Sequence, residues 1–330
     1  MATSEIGVER LQASSDHRHH RRKFFRSVIG AAAASAGAMA FSQEAASQTA
    51  LTDLDLLNFA LNLEYLEAQF YAFAVTGAGL AADQITGTQT QGPVTGARKA
   101  NLVDPAVIQY VREIAGDEAA HVASLRRALG NAAVAQPAID LSPTVFNAVA
   151  QAADIDLSDF GGSFDPYAND DNFLLAAYIF EDVGVTAYKG ASPLLTNVDL
   201  VDAAAGLLAA EAFHAGIIRS ALYRRGVDVP DLRERADKIS DARDELDGDT
   251  ASDGPPQRLA AADQGISPIT SIYGTASNIA PTGPRSIVPS RTAEQVHNIL
   301  YLSRDQVTAG GFFPAGTNNA NPALRRSGAN

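Results

Sequence analysis

Apolar residues recur at three-and-four spacing in four long stretches, each bounded by helix start and stop signals. In the first, Leu56, Leu57, Ala60, Leu63, Leu66, Phe70 and Phe73 share a face. That predicts a helix from Thr52 or Asp53 to about Val75, with Gly77 as its stop. The second has Asp104 as N-cap, Pro105 at the first helical position and Gly130 after the last turn. The third runs from about Asp171 to Tyr188, and the fourth from about Val198 to Arg225, closed by Gly226. Residues 77–103 read as a long Gly/Thr/Gln loop and residues 190–197 as a tight link. Residues 131–170 read as a crossover with a short helix from Pro143 to Ala152. Short links join antiparallel neighbours, so the pattern predicts an all-α four-helix bundle with a long crossover over residues 51–231.

From Leu232 the character changes. A charged helical stretch, DLRERADKISDARDEL, leads into a Pro/Gly/Ser-rich tail with one more helix at about 292–304. Residues 232–330 therefore read as a partly irregular C-terminal extension packing on the bundle. At the other end, Arg21 and Arg22 precede Phe24 and Phe25, then an alanine-rich run ending Ala38-Met39-Ala40. This pattern predicts a twin-arginine signal peptide over residues 1–40, followed by a polar linker, 41–50. The run from Ser27 to Phe41 is too short to span a bilayer comfortably, so no stable membrane span is expected in the mature chain. The expected location is periplasmic or extracellular. Twin-arginine export carries folded proteins, which suits a protein that binds metal before release.

Charge and composition narrow the chemistry. The net charge is −13, which argues against nucleic acid as a partner. Residues 1–40 hold six Lys/Arg and three Asp/Glu, so their removal gives −13 − 3 = −16. The chain has no cysteine, which excludes disulfides, thiolate zinc sites and iron–sulfur clusters. Any metal must be held by imidazole and carboxylate.

Three histidines lie beyond the signal: His121, His214 and His297. Each follows a glutamate by three residues: Glu118, Glu211 and Glu294. With only 12 glutamates in the chain, chance is a poor account of this repetition. Residues i and i+3 share a helix face, so each pair can offer a carboxylate and an imidazole together. The other two long helices carry Glu64 with Tyr71 and Glu181 with Tyr188, each tyrosine seven residues on. Seven residues is nearly two turns, which places each tyrosine over the glutamate of its own helix. The chain thus reads as two halves of one plan. Four carboxylates buried together would repel and take up protons, and two divalent cations would neutralise them.

The metal-ligand set read from this pattern is Glu64, Glu118, His121, Glu181, Glu211 and His214. Glu67, one turn after Glu64, can share its role, but Glu64 repeats the spacing of Glu181 and is the preferred ligand, with Glu67 expected just outside the ligand set. Asp117 and Asp182 are expected to accept the free N–H of a ligand histidine and fix its tautomer. Tyr71 and Tyr188 read either as redox-active or carboxylate-bonding groups, or as core aromatics with satisfied hydroxyls. Glu294 and His297 have the spacing but no matching half. They are expected on a docking helix, with His297 at the surface.

The stretches LNLEYLEAQFYAFAVTG, EIAGDEAAHVASLRRALG, AAYIFEDVGVTAYKGASPLL and AAEAFHAGIIRSALY, with SRTAEQVHNILYL and GGFFPAG in the tail, resemble the secreted ferritin-like proteins. That group includes the plant desiccation-related proteins and bacterial homologues with twin-arginine signals. The resemblance covers about residues 51–316 and implies the four-helix fold and a di-metal centre. His297 departs from an apolar position in that tail. The missing cysteines exclude a complete rubrerythrin, and the long loops argue against a ferritin-type storage shell.

Two main functions follow as expectations, beside a third, iron sequestration without catalysis. One is an exported oxidoreductase of peroxidase, catalase or oxidase type, with two iron or manganese ions acting on O2, peroxide or Fe(II) in oxidative or desiccation stress. The other is a non-enzymatic, stress-protective envelope protein with a structural or vestigial metal site. A homo-oligomer is compatible with either.

Overall fold

The computed structural model describes residues 50–248, 263–283 and 286–330. The expected signal peptide and all but the last residue of the linker lie outside these residues.

Helix α1 spans Asp53–Thr76. Thr52 caps it: its hydroxyl accepts from the Asp55 amide at 3.2 Å while the Asp55 carboxylate accepts from the Thr52 amide at 3.0 Å. Gly77 ends it with φ 81°, a left-handed conformation that glycine adopts without steric cost. Helix α2, Pro105–Leu129, starts at Asp104 as its punctuation predicts. Its buried residues Val107, Val111, Ile114, Glu118, His121, Val122, Leu125 and Leu129 form one stripe. Glu118 and His121 sit inside that apolar stripe, so the packing that buries the leucines also buries them.

The crossover contains α3, Pro143–Ala152. Helix α4, Asp170–Ala191, is buried without a break from Asn172 to Tyr188. Helix α5, Val198–Asp228, runs three residues past its expected end. Gly226 does not stop it; a Cβ there would lie 2.4 Å from Cγ of Arg233, so this glycine serves close approach of the next helix. That helix, α6, spans Asp231–Asp247, and α7 spans Ala293–Tyr301.

Helix α1 packs along α2 and α4 along α5, and the pairs meet through α1 against α4 and α2 against α5. Two features tie the irregular segments to this frame. The loop after α1 is paired in parallel with the crossover, β1 (Val94–Thr95) against β2 (Ile139–Asp140), with Val94 opposite Ile139. A run of only two residues per strand has no sequence signature, and the loop reading missed it. In the tail, β3 (Ile269–Ser271) and β4 (Gly274–Ala276) form a hairpin.

The extension is more than an appendage. Helix α6 lies against α4 and α5, and α7 against α4 and α6. Arg219 of α5, Arg243 of α6 and Arg291 are buried side chains joined to Asp182, Asp247 and Asp263. Arg243 spans Asp182 at 2.9 Å and Asp263 at 2.7 Å, while Arg291 reaches Asp263 at 2.8 Å and Asp247 at 2.6 Å. Removing one member of such a network strands a buried charge, at about 3–5 kcal/mol. This lattice locks α4, the helix that carries Glu181, against the C-terminal segments.

Candidate metal centre

The four bundle helices each contribute inward carboxylates or imidazoles at one level. Glu64 comes from α1, Glu118 and His121 from α2, Glu181 from α4, and Glu211 and His214 from α5. The four carboxylates are at most 1% exposed, His214 is 2% exposed and His121 8%. Nδ1 of His121 lies 3.3 Å from Oε2 of Glu64, 3.3 Å from Oε1 of Glu211 and 3.7 Å from Oε2 of Glu118. Nδ1 of His214 lies 2.9 Å from Oε1 of Glu118 and 3.8 Å from Oε2 of Glu181. The two imidazole rings stack at 5.8 Å between centroids.

These atoms resolve into two overlapping groups. Glu64, Glu118, His121 and Glu211 form one; Glu118, Glu181, Glu211 and His214 form the other. Within each group one atom per residue lies within 4.8 Å of all the others. Glu118 and Glu211 belong to both, so they stand between the groups, with a Glu/His pair completing each side.

The inward atoms have no hydrogen-bond partner. Both oxygens of Glu118 and of Glu211, one each of Glu64 and Glu181, and Nδ1 of both histidines are buried without one. Leaving one buried polar atom unpaired costs on the order of 1–3 kcal/mol. Eight such atoms gathered in two overlapping groups form an oxygen-and-imidazole donor set that could hold a cation.

Proton affinities in the metal-free chain carry the same message. Burial lifts the Glu118 and Glu181 carboxyls well above the ordinary range, with the neighbouring carboxylates adding to it. Burial and the Glu118 charge push Glu211 up to about 8. Burial works against Glu64 too, but its contact with His121 brings it below its usual value. Burial likewise opposes protonation of His121, yet Glu118, Glu211 and Glu64 around it raise its hold on a proton.

The outer contacts are cross-wired. The Tyr71 hydroxyl of α1 donates to Oε1 of Glu181 on α4, and the Tyr188 hydroxyl of α4 donates to Oε1 of Glu64 on α1. Both tyrosines therefore bond carboxylates of the set, each on the facing helix and not on its own. Two turns separate each tyrosine from the glutamate of its own helix by about 10 Å along the axis, beyond hydrogen-bond reach, whereas the facing helix is close. Nε2 of His214 donates to Oδ2 of Asp117 at 3.1 Å, which leaves Nδ1 as the inward acceptor.

Two sequence expectations, for Asp182 and His297, need correction, while Glu67 stands beside the cluster. Asp182 serves no histidine; it accepts from Arg219 at 2.7 Å and Arg243 at 2.9 Å. It sits one position round the helix from Glu181, which turns it to the tail side of α4. Glu67 is buried beside the cluster, with its proton affinity raised by burial and by Glu211, but belongs to neither four-residue group. His297 is fully buried, not at the surface. Its Nδ1 donates to the Ala293 carbonyl at 2.7 Å and its Nε2 accepts from Oγ1 of Thr317 at 3.0 Å. Burial holds this imidazole neutral, with its pKa lowered to about 4. Sequence reasoning also missed Arg219, Arg243 and Arg291, because their aspartate partners lie on other elements.

Comparison with known proteins places these observations. The family model described as a ferritin-like domain matches residues 52–224. The chain is 38% identical over 207 residues to the desiccation-related protein PCC13-62 of Craterostigma plantagineum. That alignment takes in 59% of this chain and 62% of the relative, less than two thirds of its length. The chain is also 31% identical over 280 residues to the ferritin-like catalase Nec2 of Nesocodon mauritianus, across 81% of this chain and 83% of that one.

Proposed function

This chain belongs to the ferritin-like family, and from that premise we propose that it is an exported two-metal oxidoreductase that disproportionates hydrogen peroxide to water and dioxygen. The observation that carries this reading is the pair of four-residue groups sharing Glu118 and Glu211. The name of the relative matched over 83% of its length, a ferritin-like catalase, supports peroxide as the substrate.

In this reading Glu64 and His121 would hold one ion and Glu181 and His214 the other, with Glu118 and Glu211, which belong to both groups, available to each. Two bound iron or manganese ions would supply the redox couple for peroxide turnover. The chain's own part is positional. Tyr71 and Tyr188 hold the outer oxygens of Glu181 and Glu64, so the inner oxygens stay aimed at the centre. Asp117 keeps the His214 proton on Nε2. The apolar stripes of all four helices exclude bulk water, which strengthens every charge interaction inside.

The test is metal analysis of protein loaded in the cytoplasm, with dioxygen release on peroxide addition. We expect about two ions per chain and dioxygen release, both lost in Glu118→Ala/Glu211→Ala. Less than one ion per chain, unchanged in that variant, overturns the reading. The match to a desiccation-related protein favours a second reading, a stress-protective role without turnover. Metal-loaded protein inert to peroxide that protects client enzymes during drying would establish it. Export is proposed on the residue pattern around Arg21 and Arg22, and Arg21→Lys/Arg22→Lys should retain the precursor in the cytoplasm.

A further inference from the structure

Among the described residues, nothing covers the outer face of α5 around Phe213. Phe213 is 73% exposed, although it sits between Glu211 and His214 in sequence. At about 100° per residue, Phe213 points nearly opposite Glu211. The same turn count puts Asp202, Gly206, Ala209, Ile217, Ser220 and Arg224 within about 40° of Phe213. All are exposed except Ile217, which is half-buried. Beside Phe213 runs a groove of about 610 Å³ between α5 and α2, lined by Val107, Tyr110 and Ile217, by Ile279 of the tail, and at one end by the charged Asp104 and Arg225.

Two further observations say what covers this face. A Cβ on Gly206 or Gly216 would meet nothing within 4 Å, so neither glycine is needed for packing among the described residues. Each costs the helix about 1 kcal/mol relative to alanine. One pair of charges on this face, Asp202 and Arg224, is self-complementary. In an antiparallel two-fold pairing centred on Phe213, Asp202 falls opposite Arg224, Gly206 opposite Ser220, and Ala209 opposite Ile217. Parallel pairing would set Asp202 against Asp202. The Arg224–Asp228 pair at 3.1 Å, with both side chains over 70% exposed, is held weakly and free to exchange.

The geometry points to a second copy of this chain: α5 forms an isologous, antiparallel dimer interface across Phe213, each phenylalanine entering the other subunit's α2/α5 groove. A bilayer is the other occupant such a face could take, since α5 is long and apolar enough to span one. But its buried side carries Glu211, His214 and Arg219, and both Asp199 and Asp202 would face an anionic lipid surface. The inference stands independently of peroxide turnover.

Sedimentation equilibrium of the mature, metal-loaded chain tests it. The wild type should be a dimer. Phe213→Asp and Gly206→Gln should each weaken dimerisation by more than about tenfold, at 1.4 kcal/mol per tenfold, with metal content unchanged. Gly206→Gln should also raise the melting temperature of the monomer, because it removes a helix glycine, so loss of the dimer cannot be misfolding. Asp202→Arg and Arg224→Asp should each weaken the dimer and together restore it. A monomeric wild type, or a dimer indifferent to all four changes, overturns the inference. Monomers that float with phosphatidylglycerol/phosphatidylethanolamine vesicles, and lose that binding in Phe213→Asp, overturn it in favour of a membrane.

Discussion

Tyr71 on the first helix donates its hydroxyl proton to Glu181 on the fourth, and Tyr188 returns the same contact to Glu64. The two bonds form a reciprocal brace across the bundle, one on each side of the candidate centre. Each fixes the outer oxygen of a glutamate whose other oxygen is buried without a partner.

Replacing Tyr71 or Tyr188 with phenylalanine should therefore act on the metal rather than the fold. Losing one hydrogen bond costs about 1 kcal/mol, since the ring still fills its place. Metal affinity should fall by about 10–100-fold, as for partners that orient ligands elsewhere. Competitive titration against a chelator, with a thermal melt as control, reads both quantities. Equal affinity in both variants and the wild type would dismiss the brace.

Asp117 offers a cleaner separation. Its side chain is 52% exposed, so Asp117→Asn should change stability little. An asparagine can present its amide nitrogen to Nε2 of His214 and favour the other tautomer, placing the proton on Nδ1, the atom aimed at the cluster. Metal affinity should drop about 10–100-fold with no shift in the melting temperature of the metal-free protein. A melting shift without an affinity change would make Asp117 merely structural.

Stability of the metal-free protein should fall as pH rises. Glu211 has an ordinary value of 4.5 and a folded value of about 8, so the folded state holds its proton more tightly than the unfolded chain. Its contribution is fully present below pH 4.5 and is lost as pH rises through about 8. Glu118 and Glu181 are raised in the same sense, as is His121. Glu64 is lowered and works against them. Metal binding needs the deprotonated carboxylates, so the loaded protein should show the opposite slope. Melting curves between pH 5 and 9, with and without chelator, check the crossing.

His297 should produce its own acid limb. Its folded value of about 4 lies below the ordinary 6.5, so the unfolded chain binds the proton better. The stability it contributes is present above pH 6.5 and is lost as pH falls toward 4, an effect of about 3 kcal/mol. His297→Gln, which keeps a donor and an acceptor without titrating, should flatten the denaturation midpoint across that window. An unchanged slope would place the acid sensitivity elsewhere.

The sequence by itself determined the four bundle helices, the short crossover helix and the six residues that meet at the centre. Those features are local. Helix periodicity sets which face is buried, and a glutamate and histidine three apart within a buried stripe must point inward together. Asp104 and Gly130 likewise mark the ends of α2 without reference to anything distant. What only the tertiary structure decided are relations between elements. Tyr71 meets Glu181 instead of Glu64 because the facing helix is nearer than two turns of its own. Asp182 meets Arg219 and Arg243, and His297 is buried by Thr317 and its own helix, because the tail folds back over α4 from far along the chain. Gly226 continues a helix because Arg233 needs its space, and Phe213 is left outside because the bundle is complete without it. None of these has a period or a motif. They depend on helix register and on which faces are already occupied, and a sequence does not carry that information locally.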